Sequence, residues 1–306
     1  MFSEKKIAVL RVRALIIDAA RCWLNQNGYV EVQGPIILPA IGDQPASFEV
    51  KYFDKKGYLT QGLQPYAHSF VSNLGKVFTI APAFRSEKMR TRRHLTEYWR
   101  IQVAQQCRFD DIIKVQEKLI THVCQILSAN AADALHLLNI STDALRVKTP
   151  FPILTYDAAI ELLQRDGFGV WWGQNFDWGM ENHISLSFGQ PFFITRFPVN
   201  AETYFHRSDP EKPELSLSAD VLAPQGYGEI GSSGEIITEK EALSQKMIEE
   251  NIDVAGQRWY LRHMECNSSP QSGFALGLER LIQWICRLAD VKEAVAFPRV
   301  YDSDLL

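Results

Sequence analysis

The sequence predicts an α+β domain in which helices flank an antiparallel sheet. Candidate strands come mostly in pairs that lie close together in the chain, as hairpins require. Other segments repeat apolar residues at helical spacing, and they do not alternate regularly with the strands. This arrangement favours the α+β class over a doubly wound parallel sheet.

The N-terminal third predicts one helix, a short strand and a hairpin. The helix has apolar residues at helical spacing and stops at Asn27-Gly28, a natural C-terminal cap. YVEVQGP then predicts a strand that ends at Pro35, and residues 50–61 predict a hairpin with its turn at Lys55-Lys56-Gly57. The apolar helix positions are Val12, Ile16, Ala19, Ala20 and Trp23.

The remaining elements follow from the same signals. KVFTIAPAF and EYWRIQVAQQ predict two strands, and residues 110–128 predict an amphipathic helix. Thr238 with Glu241 predicts a capping box that opens a helix through about residue 250. A last helix is predicted directly after SGFALG. Its apolar positions are Leu278, Leu281, Ile282, Ile285 and Leu288.

Composition narrows the class of protein. The 306 residues carry a net charge of −4, without the basic excess of a general nucleic-acid binder. Five scattered cysteines without CxxC spacing argue against a disulfide framework or a zinc site and favour reduced thiols in the cytoplasm. We find no secretory signal, bilayer-length apolar run, repeat or linker, so a single domain over residues 1–306 with no membrane partner is expected.

The basic loop between the two paired strands is the first candidate site. From Arg85 to Arg93 it holds five cations and one acid, a local balance of plus four. Arg85 and Glu87 lie where one strand ends, and Arg93 and His94 where the next begins. Guanidinium groups suit bidentate contact with phosphate. In isolation a solvated surface turn with internal ion pairs is the favoured explanation of these charges, and the anion site gains support when the loop is considered together with two other segments.

Two further segments carry candidate chemistry. In GYGEIGSSGEI, a stretch with the composition of a turn, Glu229 and Ser232 offer the hard oxygen ligands that magnesium takes when it bridges phosphates. In SGFALGLERLIQW, Glu279 and Arg280 stand in the first turn of a helix. Taken singly, these segments also fit a structural turn and a buried arginine paired with an acid.

Together the three segments resemble the catalytic core of class II aminoacyl-tRNA synthetases of the asparaginyl/aspartyl branch. LRVRALIIDAARCWLNQNGYVEVQGPIILPA is similar to motif 1, which builds the dimer interface of that class. VFTIAPAFRSEKMRTRRHLTEYW is similar to motif 2, and GFALGLERLIQWI to motif 3. YLTQGLQPY, LTYDAAIELL, FITRFP and GYGEI follow in the family's order. The resemblance covers nearly the whole chain and implies the antiparallel sheet of that class.

For the basic loop, the resemblance implies that the anion is the triphosphate of ATP. Arg85 would hold the α-phosphate and Glu87 the adenine amino group. His94 would lie near the outer phosphates, with Arg93 among the ATP-binding residues. Fixed arginines there would stabilise the negative charge that develops when a carboxylate attacks the α-phosphorus.

The resemblance also assigns roles outside the loop. Tyr98 would lie under the adenine ring and Arg280 over its other face, while Glu229 and Ser232 would bind Mg²⁺. Arg85 and Arg280 would be the catalytic residues.

On the amino-acid side of the implied site, Gln61 and Gln64 would orient the bound amino acid. Asp43 would contact the ammonium group of that amino acid.

The sequence departs from the family where the amino-acid side chain would bind. Ala67 stands at the position of the lysine that meets the substrate carboxylate in aspartyl enzymes, and His68 follows it. Because a buried carboxylate without a cation is costly, His68 and Arg262 are candidate substitutes. We therefore do not expect the usual recognition of aspartate or asparagine. We expect a substrate whose side chain is larger or differently charged.

Two further departures concern the acceptor. Gln102 and Ala104 replace acids of the motif 2 exit strand, and Ile236 replaces an arginine. The motif 1 helix starts within the first few residues, so no N-terminal OB-fold that reads the anticodon is expected.

These observations predict an AMP-forming ligase that activates an amino-acid carboxylate and passes it to ammonia or another small amine. One alternative is an asparaginyl- or aspartyl-type enzyme that transfers the aminoacyl group to tRNA, a protein or a carrier without anticodon recognition. Another is a non-catalytic regulatory paralogue. ATP and Mg²⁺ are the expected cofactors, and a homodimer through residues 7–35 is expected. A tRNA partner is possible but not favoured.

Overall fold

A computed structural model describes residues 2–39, 46–89, 91–264 and 269–302. The strands are β1 (Val30–Glu31), β2 (Ile37–Leu38), β3 (Glu49–Tyr52), β4 (Lys55–Leu59), β5 (Lys76–Phe84), β6 (Glu97–Gln105), β7 (Ile153–Thr155), β8 (Phe192–Thr195), β9 (Ser218–Ala223), β10 (Gly228–Glu235) and β11 (Ser272–Gly277). The α-helices are α1 (Glu4–Gln26), α2 (Gln64–Leu74), α3 (Phe109–Asn130), α4 (Ala132–Leu137), α5 (Tyr156–Arg165), α6 (Trp178–Leu186), α7 (Lys240–Glu249), α8 (Arg258–Met264) and α9 (Leu278–Ile285).

Most strands join one large sheet. Within the described ranges its order is β1-β5-β6-β11-β10-β9-β8-β7, and a smaller sheet has the order β2-β4-β3. The pairs β1–β5 and β7–β8, one at each edge of the large sheet, are parallel, and the pairs between them are antiparallel. Helices flank this sheet, which confirms the predicted α+β class.

The main core lies on one face of the large sheet. Helices α1, α3 and α9 bury apolar residues there, and β6 and β11 contribute every second residue. On β6 these residues are Ile101 and Val103, whose side chains are fully buried. Because successive strand residues point to opposite faces, the residues between them lie on the other face of the sheet. That other face carries the candidate site.

Several elements begin and end where the sequence predicts. The predicted strands KVFTIAPAF and EYWRIQVAQQ correspond to β5 and β6, and α3 extends the predicted helix by one or two residues at each end. The helix after SGFALG is α9. None of the described helices combines the length and apolar character that a bilayer crossing requires.

Three local predictions are wrong. The hairpin turn is Phe53-Asp54, and Lys55–Gly57 belongs to β4. Lys56 on this strand forms an ion pair with Glu49 on β3. Helix α7 starts after Glu239 without a side-chain cap, so the capping box does not form. Thr238 instead lies buried at the end of the segment that leaves β10.

The third correction concerns the glycine- and serine-rich stretch, which is strand β10 and not a turn. Its glycines allow close packing: a Cβ at Gly231 would lie 2.4 Å from the Ala275 carbonyl oxygen, and one at Gly234 would lie 2.6 Å from the His206 ring. A bulge between Glu229 and Gly231 interrupts its pairing with β9.

Candidate active site

Strand β6 supplies a row of polar side chains to the open face of the sheet. Tyr98, Arg100 and Gln102 alternate with the core residues Ile101 and Val103, in the pattern of a strand with one buried face. The three side chains therefore point to the same side, about two residues apart along the strand. They line cavities on this face.

Strand β11 provides the room above the sheet. Ala275 and Gly277 pair with Gln102 and Arg100, so small residues lie beside long ones on the same face. At Gly273 a Cβ would lie 2.1 Å from Gln64 Nε2 and 2.6 Å from the Val103 carbonyl oxygen. The small residues of SGFALG are thus needed for close packing under the site.

The first cavity has a volume of about 160 Å³ and lies between the basic loop, β10 and α9. It brings together all the residues for which the resemblance implies contact with ATP or magnesium. These are Arg85, Glu87, Arg93, His94, Tyr98, Glu229, Ser232 and Arg280.

Arginine–carboxylate pairs form one wall of the first cavity. Arg280 Nη1 donates to Glu229 Oε2 at 2.5 Å, and Arg93 Nη1 donates to Glu181 Oε2, also at 2.5 Å. Burial by itself raises the pKa of Glu229, but Arg280 and Arg93 outweigh it and hold that pKa below its usual value. Glu229 is therefore an anion at neutral pH, and the arginines are oriented before any ligand binds.

Other residues of the basic loop also line the first cavity. Arg85 Nε lies 3.1 Å from Glu87 Oε1. Burial, together with Arg280, Arg93 and Arg85, lowers the pKa of His94 to about 4. His94 is therefore neutral at pH 7, and it shares a hydrogen bond with the Thr91 hydroxyl. A bound polyanion would oppose the repulsion from the arginines and raise this pKa.

Glu229 and Ser232, which line the first cavity, and Asp220 beside them offer oxygen donors that fit a magnesium ion. Ser232 on β10 pairs with Asp220 on β9, so their side chains share a face, and Glu229 lies across the bulge. Burial, reinforced by Glu229, raises the pKa of Asp220 well above its usual value, and no described residue forms an ion pair with it. Two carboxylates and a hydroxyl suit a magnesium ion that takes its other ligands from phosphate.

A second, larger cavity adjoins the first. Its volume is about 450 Å³, and Arg85, Arg100, Ser232 and Ala275 line both cavities. A ligand in one cavity can therefore meet a ligand in the other at these four residues. The far end is formed in part by Tyr66, Glu202, Tyr204, Phe205, His206 and Trp259.

A chain of uncharged hydrogen bonds forms the floor of the second cavity. Gln102 Nε2 donates to Gln64 Oε1 at 3.2 Å, and Gln64 Nε2 donates to His68 Nε2 at 3.2 Å. His68 Nδ1 in turn donates to Gln271 Oε1 at 2.9 Å. This pattern requires a neutral imidazole, and burial accordingly lowers the pKa of His68 to about 4.

The positions where the resemblance expects charges are filled consistently by uncharged residues. Ala67 and Ala104, which replace a lysine and an acid, pack in the same small apolar cluster as Val71 and Val77. Ile236, which replaces an arginine, is buried in a separate apolar cluster. The lysine, the acids and the arginine are thus replaced together, and neither Ala67 nor Ile236 places a cation at the second cavity.

Only some of the residues predicted to contact the amino acid line the second cavity. Gln61 and Gln64 line the second cavity, and the Gln61 amide donates to the Ala46 carbonyl oxygen at 3.0 Å. His68 is buried behind Gln64 and does not line either cavity. Arg262 is exposed on α8 and is not among the lining residues, so the predicted cation contact is not formed there. Asp43 lies outside the described residues.

Sequence reasoning missed several residues of the site. In the second cavity, Arg100 belongs to the lining, and Gln271 lies behind it as the hydrogen-bond partner of His68. Near the first cavity, Asp220 and Glu181 belong to the same charged cluster as Glu229 and Arg93. Arg100 could have been found, because strict alternation along β6 places it between Tyr98 and Gln102. The contacts of Glu181, on α6, depend on tertiary packing.

An antiparallel sheet with an arginine-lined cavity and an adjoining pocket on its open face is the architecture of a class II synthetase core. Residues 1–301 match the family described as tRNA synthetases class II (D, K and N). The chain belongs to this family. It is an AMP-forming ligase that uses ATP and Mg²⁺.

Individual relatives are asparagine–tRNA ligases. That of Pelotomaculum thermopropionicum is 38% identical over 301 residues, which cover 97% of this chain and 70% of the relative. That of Thermococcus gammatolerans is 37% identical over 300 residues, with the same coverage of both chains. The crystal structure of asparaginyl-tRNA synthetase from Pyrococcus horikoshii complexed with asparaginyl-adenylate superposes with a TM-score of 0.95 at 35% identity, covering 97% of this chain and 69% of that one.

Proposed function

We propose that this chain activates the carboxylate of an asparagine-like amino acid as an adenylate and transfers the acyl group to tRNA. The observation that carries the proposal is the pair of adjoining cavities, one with the arginines that a triphosphate requires and one with the amides of Gln61, Gln64 and Gln102 in its lining. The similarity to asparagine–tRNA ligases favours tRNA as the acceptor over ammonia, the acceptor favoured by the sequence departures.

In the proposed first step, ATP occupies the first cavity. Tyr98 and Arg280 would enclose the adenine ring, Glu87 would accept from its amino group, and Arg85 would hold the α-phosphate. Arg93 and His94 lie where the outer phosphates would leave the cavity. Asp220, Glu229 and Ser232 would hold Mg²⁺, which would offset negative charge on the phosphates.

The amino acid would occupy the second cavity, with Gln61 and Gln64 orienting it. Its carboxylate oxygen would attack the α-phosphorus, and the bond from that phosphorus to the bridging oxygen would break, releasing pyrophosphate. No protein nucleophile is required, because the substrate carboxylate attacks and positioning supplies much of the rate.

The quaternary structure is a separate part of the proposal. We propose a homodimer through residues 7–35. Ile7 on α1 is 41% exposed and Val30 on β1 is 45% exposed, and neither belongs to an apolar cluster of the chain. Phe2 and Phe297 add exposed aromatic surface in mutual contact.

The test is to incubate the enzyme with ATP, Mg²⁺ and a panel of amino acids, and to measure amino-acid-dependent exchange of pyrophosphate into ATP. Total tRNA or ammonium is then added and the products are identified by mass. We expect AMP and aminoacyl-tRNA with asparagine or a neutral analogue. Amide formation with ammonium and no charging of tRNA would contradict the proposed acceptor, and release of ADP would contradict the adenylate step.

A further inference from the structure

Arg100 lies at the junction of the two cavities. It stands on β6 between Tyr98, which lines the first cavity, and Gln102, which lines the second. Arg100 itself lines both, as does Arg85. Two guanidinium groups are therefore placed where a ligand in one cavity meets a ligand in the other.

Arg100 lies close enough to Glu229 to help lower the pKa of that carboxyl group, but it forms no ion pair with it. The other arginines of the first cavity are paired: Arg85 with Glu87, Arg93 with Glu181 and Arg280 with Glu229. In the part of the chain that the structure describes, no carboxylate forms an ion pair with Arg100.

The contact that Arg100 does make is with a ring. Its guanidinium carbon lies 5.3 Å from the centroid of the Tyr98 ring. The side chain is half-buried, which makes its missing counter-charge costly. A ligand anion at the junction would supply that counter-charge.

The position of Arg100 identifies which anion. The reacting carboxylate must approach the α-phosphorus to about 3–3.5 Å, and it carries the same sign of charge as the phosphate. Arg85 is the guanidinium on the side of the basic loop, and Arg100 is the one on β6. Away from the junction, the second cavity is lined by the amides of Gln64 and Gln102 and by the carboxylates of Glu202 and Glu250, which would repel the substrate carboxylate.

We propose that Arg100 binds the α-carboxylate of the amino-acid substrate and positions it for attack on the α-phosphorus. This inference rests on the proposed function and adds a substrate contact to it. One carboxylate oxygen forms the new bond to phosphorus, and pyrophosphate leaves with the electron pair of the broken bond. Arg100 keeps its proton throughout and reduces the repulsion between the two anions.

The experiment compares a ligand with and without the carboxylate. L-asparagine and L-asparaginol are titrated calorimetrically into the enzyme saturated with α,β-methylene-ATP, which is not cleaved at the α-phosphorus. The variants are Arg100→Gln and Arg100→Lys. The matched control is Arg146→Gln, which removes an arginine whose side chain is 81% exposed and distant in sequence from the site.

We expect Arg100→Gln to weaken asparagine binding by roughly ten- to a hundredfold, the range for a lost charge-assisted hydrogen bond. Asparaginol binding should change less than threefold, because it has no carboxylate. Arg100→Lys should recover part of the loss. Because Arg100 also lines the first cavity and contacts Tyr98, affinity for α,β-methylene-ATP is measured for each variant first, and the titrations use a concentration that saturates that variant.

Unchanged asparagine binding in Arg100→Gln would overturn the inference. Equal loss of asparagine and asparaginol would also overturn it, because it would assign Arg100 to the side chain or to the shape of the cavity. Pyrophosphate exchange by the parent enzyme distinguishes failure of the Arg100 proposal from failure of the proposed function. A parent that exchanges with asparagine retains the proposed function whatever Arg100 does, while a parent that exchanges with no amino acid contradicts both.

Discussion

At the scale of single residues, the site combines one highly charged cavity with a second cavity whose floor is built from uncharged hydrogen-bonding side chains. The charged cavity pairs its arginines with acids before a ligand arrives, as Arg280 does with Glu229. In the second cavity the hydrogen-bond chain from Gln102 through Gln64 and His68 has donors and acceptors in a fixed order. That order defines which groups remain free for a substrate, and it depends on the charge state of one histidine.

Replacing Arg85 tests the charged cavity. Arg85→Ala should weaken ATP binding by about 1.5–3 kcal/mol, because the α-phosphate would lose a charge-assisted hydrogen bond in a partly enclosed site. Arg146→Ala is the control, since its side chain is exposed. Calorimetric titration with ATP and Mg²⁺ measures both. Equal affinity of parent and Arg85→Ala would show that the phosphate binds elsewhere.

The pH dependence of folding stability tests whether His68 is neutral in the hydrogen-bond chain of the second cavity. Burial lowers the pKa of His68 from 6.5 to about 4, so below pH 6.5 the unfolded chain takes up a proton that the folded chain does not. Stability should therefore be fully present above pH 6.5 and fall by on the order of 3 kcal/mol as pH drops to 4.

Urea unfolding from pH 7.5 to 4 of the parent and of His68→Asn measures this contribution. The parent should lose more stability on acidification than the variant, whatever their stabilities at pH 7.5. His136→Asn, which changes an exposed histidine, should follow the parent. Parallel profiles for the parent and His68→Asn would show that His68 is not held neutral.

At the scale of elements, the strands and helices with strong local patterns are predictable from the sequence. The strands β5 and β6 match their predicted bounds, and α9 starts where predicted but ends at Ile285, before Leu288, because apolar periodicity and flanking residues agree best at these points. The hairpin turn and the start of α7 are not predictable in this way. Phe53 adopts a φ of 56° at the turn, a conformation that local preference would assign to glycine.

The residues of the candidate site likewise fall into those that a local sequence pattern predicts and those that it does not. Apart from Val291, the residues that line the first cavity fall in three short segments whose spacing within each segment is fixed, so a sequence motif records them. Gln271 and Glu181 act through partners that lie 203 and 88 residues away, His68 and Arg93. Nothing in the local pattern marks such residues. Arg262 is the opposite case: sequence alignment alone predicted that it contacts the substrate, but its side chain is exposed on α8.

Strand β11 offers a test of packing under the site. Gly273→Ala should destabilise the protein by about 1–3 kcal/mol, because its Cβ would lie 2.6 Å from a backbone carbonyl oxygen that cannot turn away. It should also displace the Gln64 amide, 2.1 Å from the added atom, and weaken amino-acid binding.

Gly169→Ala is the control for Gly273→Ala, since a Cβ at Gly169 meets nothing within 4 Å. Urea unfolding and pyrophosphate exchange measure the two effects. A Gly273→Ala protein as stable and as active as Gly169→Ala would show that β11 can move away from Gln64.

At the scale of the whole molecule, the first helix connects the proposed dimer face to the site. Arg13 on α1 donates to Glu279 at 2.7 Å, and the other oxygen of that carboxylate accepts from the Trp99 backbone amide. Glu279 is adjacent to Arg280 in the first turn of α9. A change in the position of α1 would therefore be transmitted to the residue proposed to cover the adenine ring.

The dimer itself is tested by charge placed on its proposed face. Ile7→Asp and Val30→Asp should shift the light-scattering mass from about twice 34.8 kDa toward 34.8 kDa at micromolar concentration, because burying an unpaired carboxylate in an apolar interface is unfavourable. Ile248→Asp is the matched control: Ile248 is 58% exposed on α7, outside the proposed face.

If the dimer forms as proposed, the first two variants should also lose pyrophosphate exchange in proportion to the monomer fraction, since α1 supports α9 through Arg13 and Glu279. A parent mass of 34.8 kDa would exclude the dimer. Monomeric variants with full exchange activity would show that α1 holds Glu279 in place without the partner subunit.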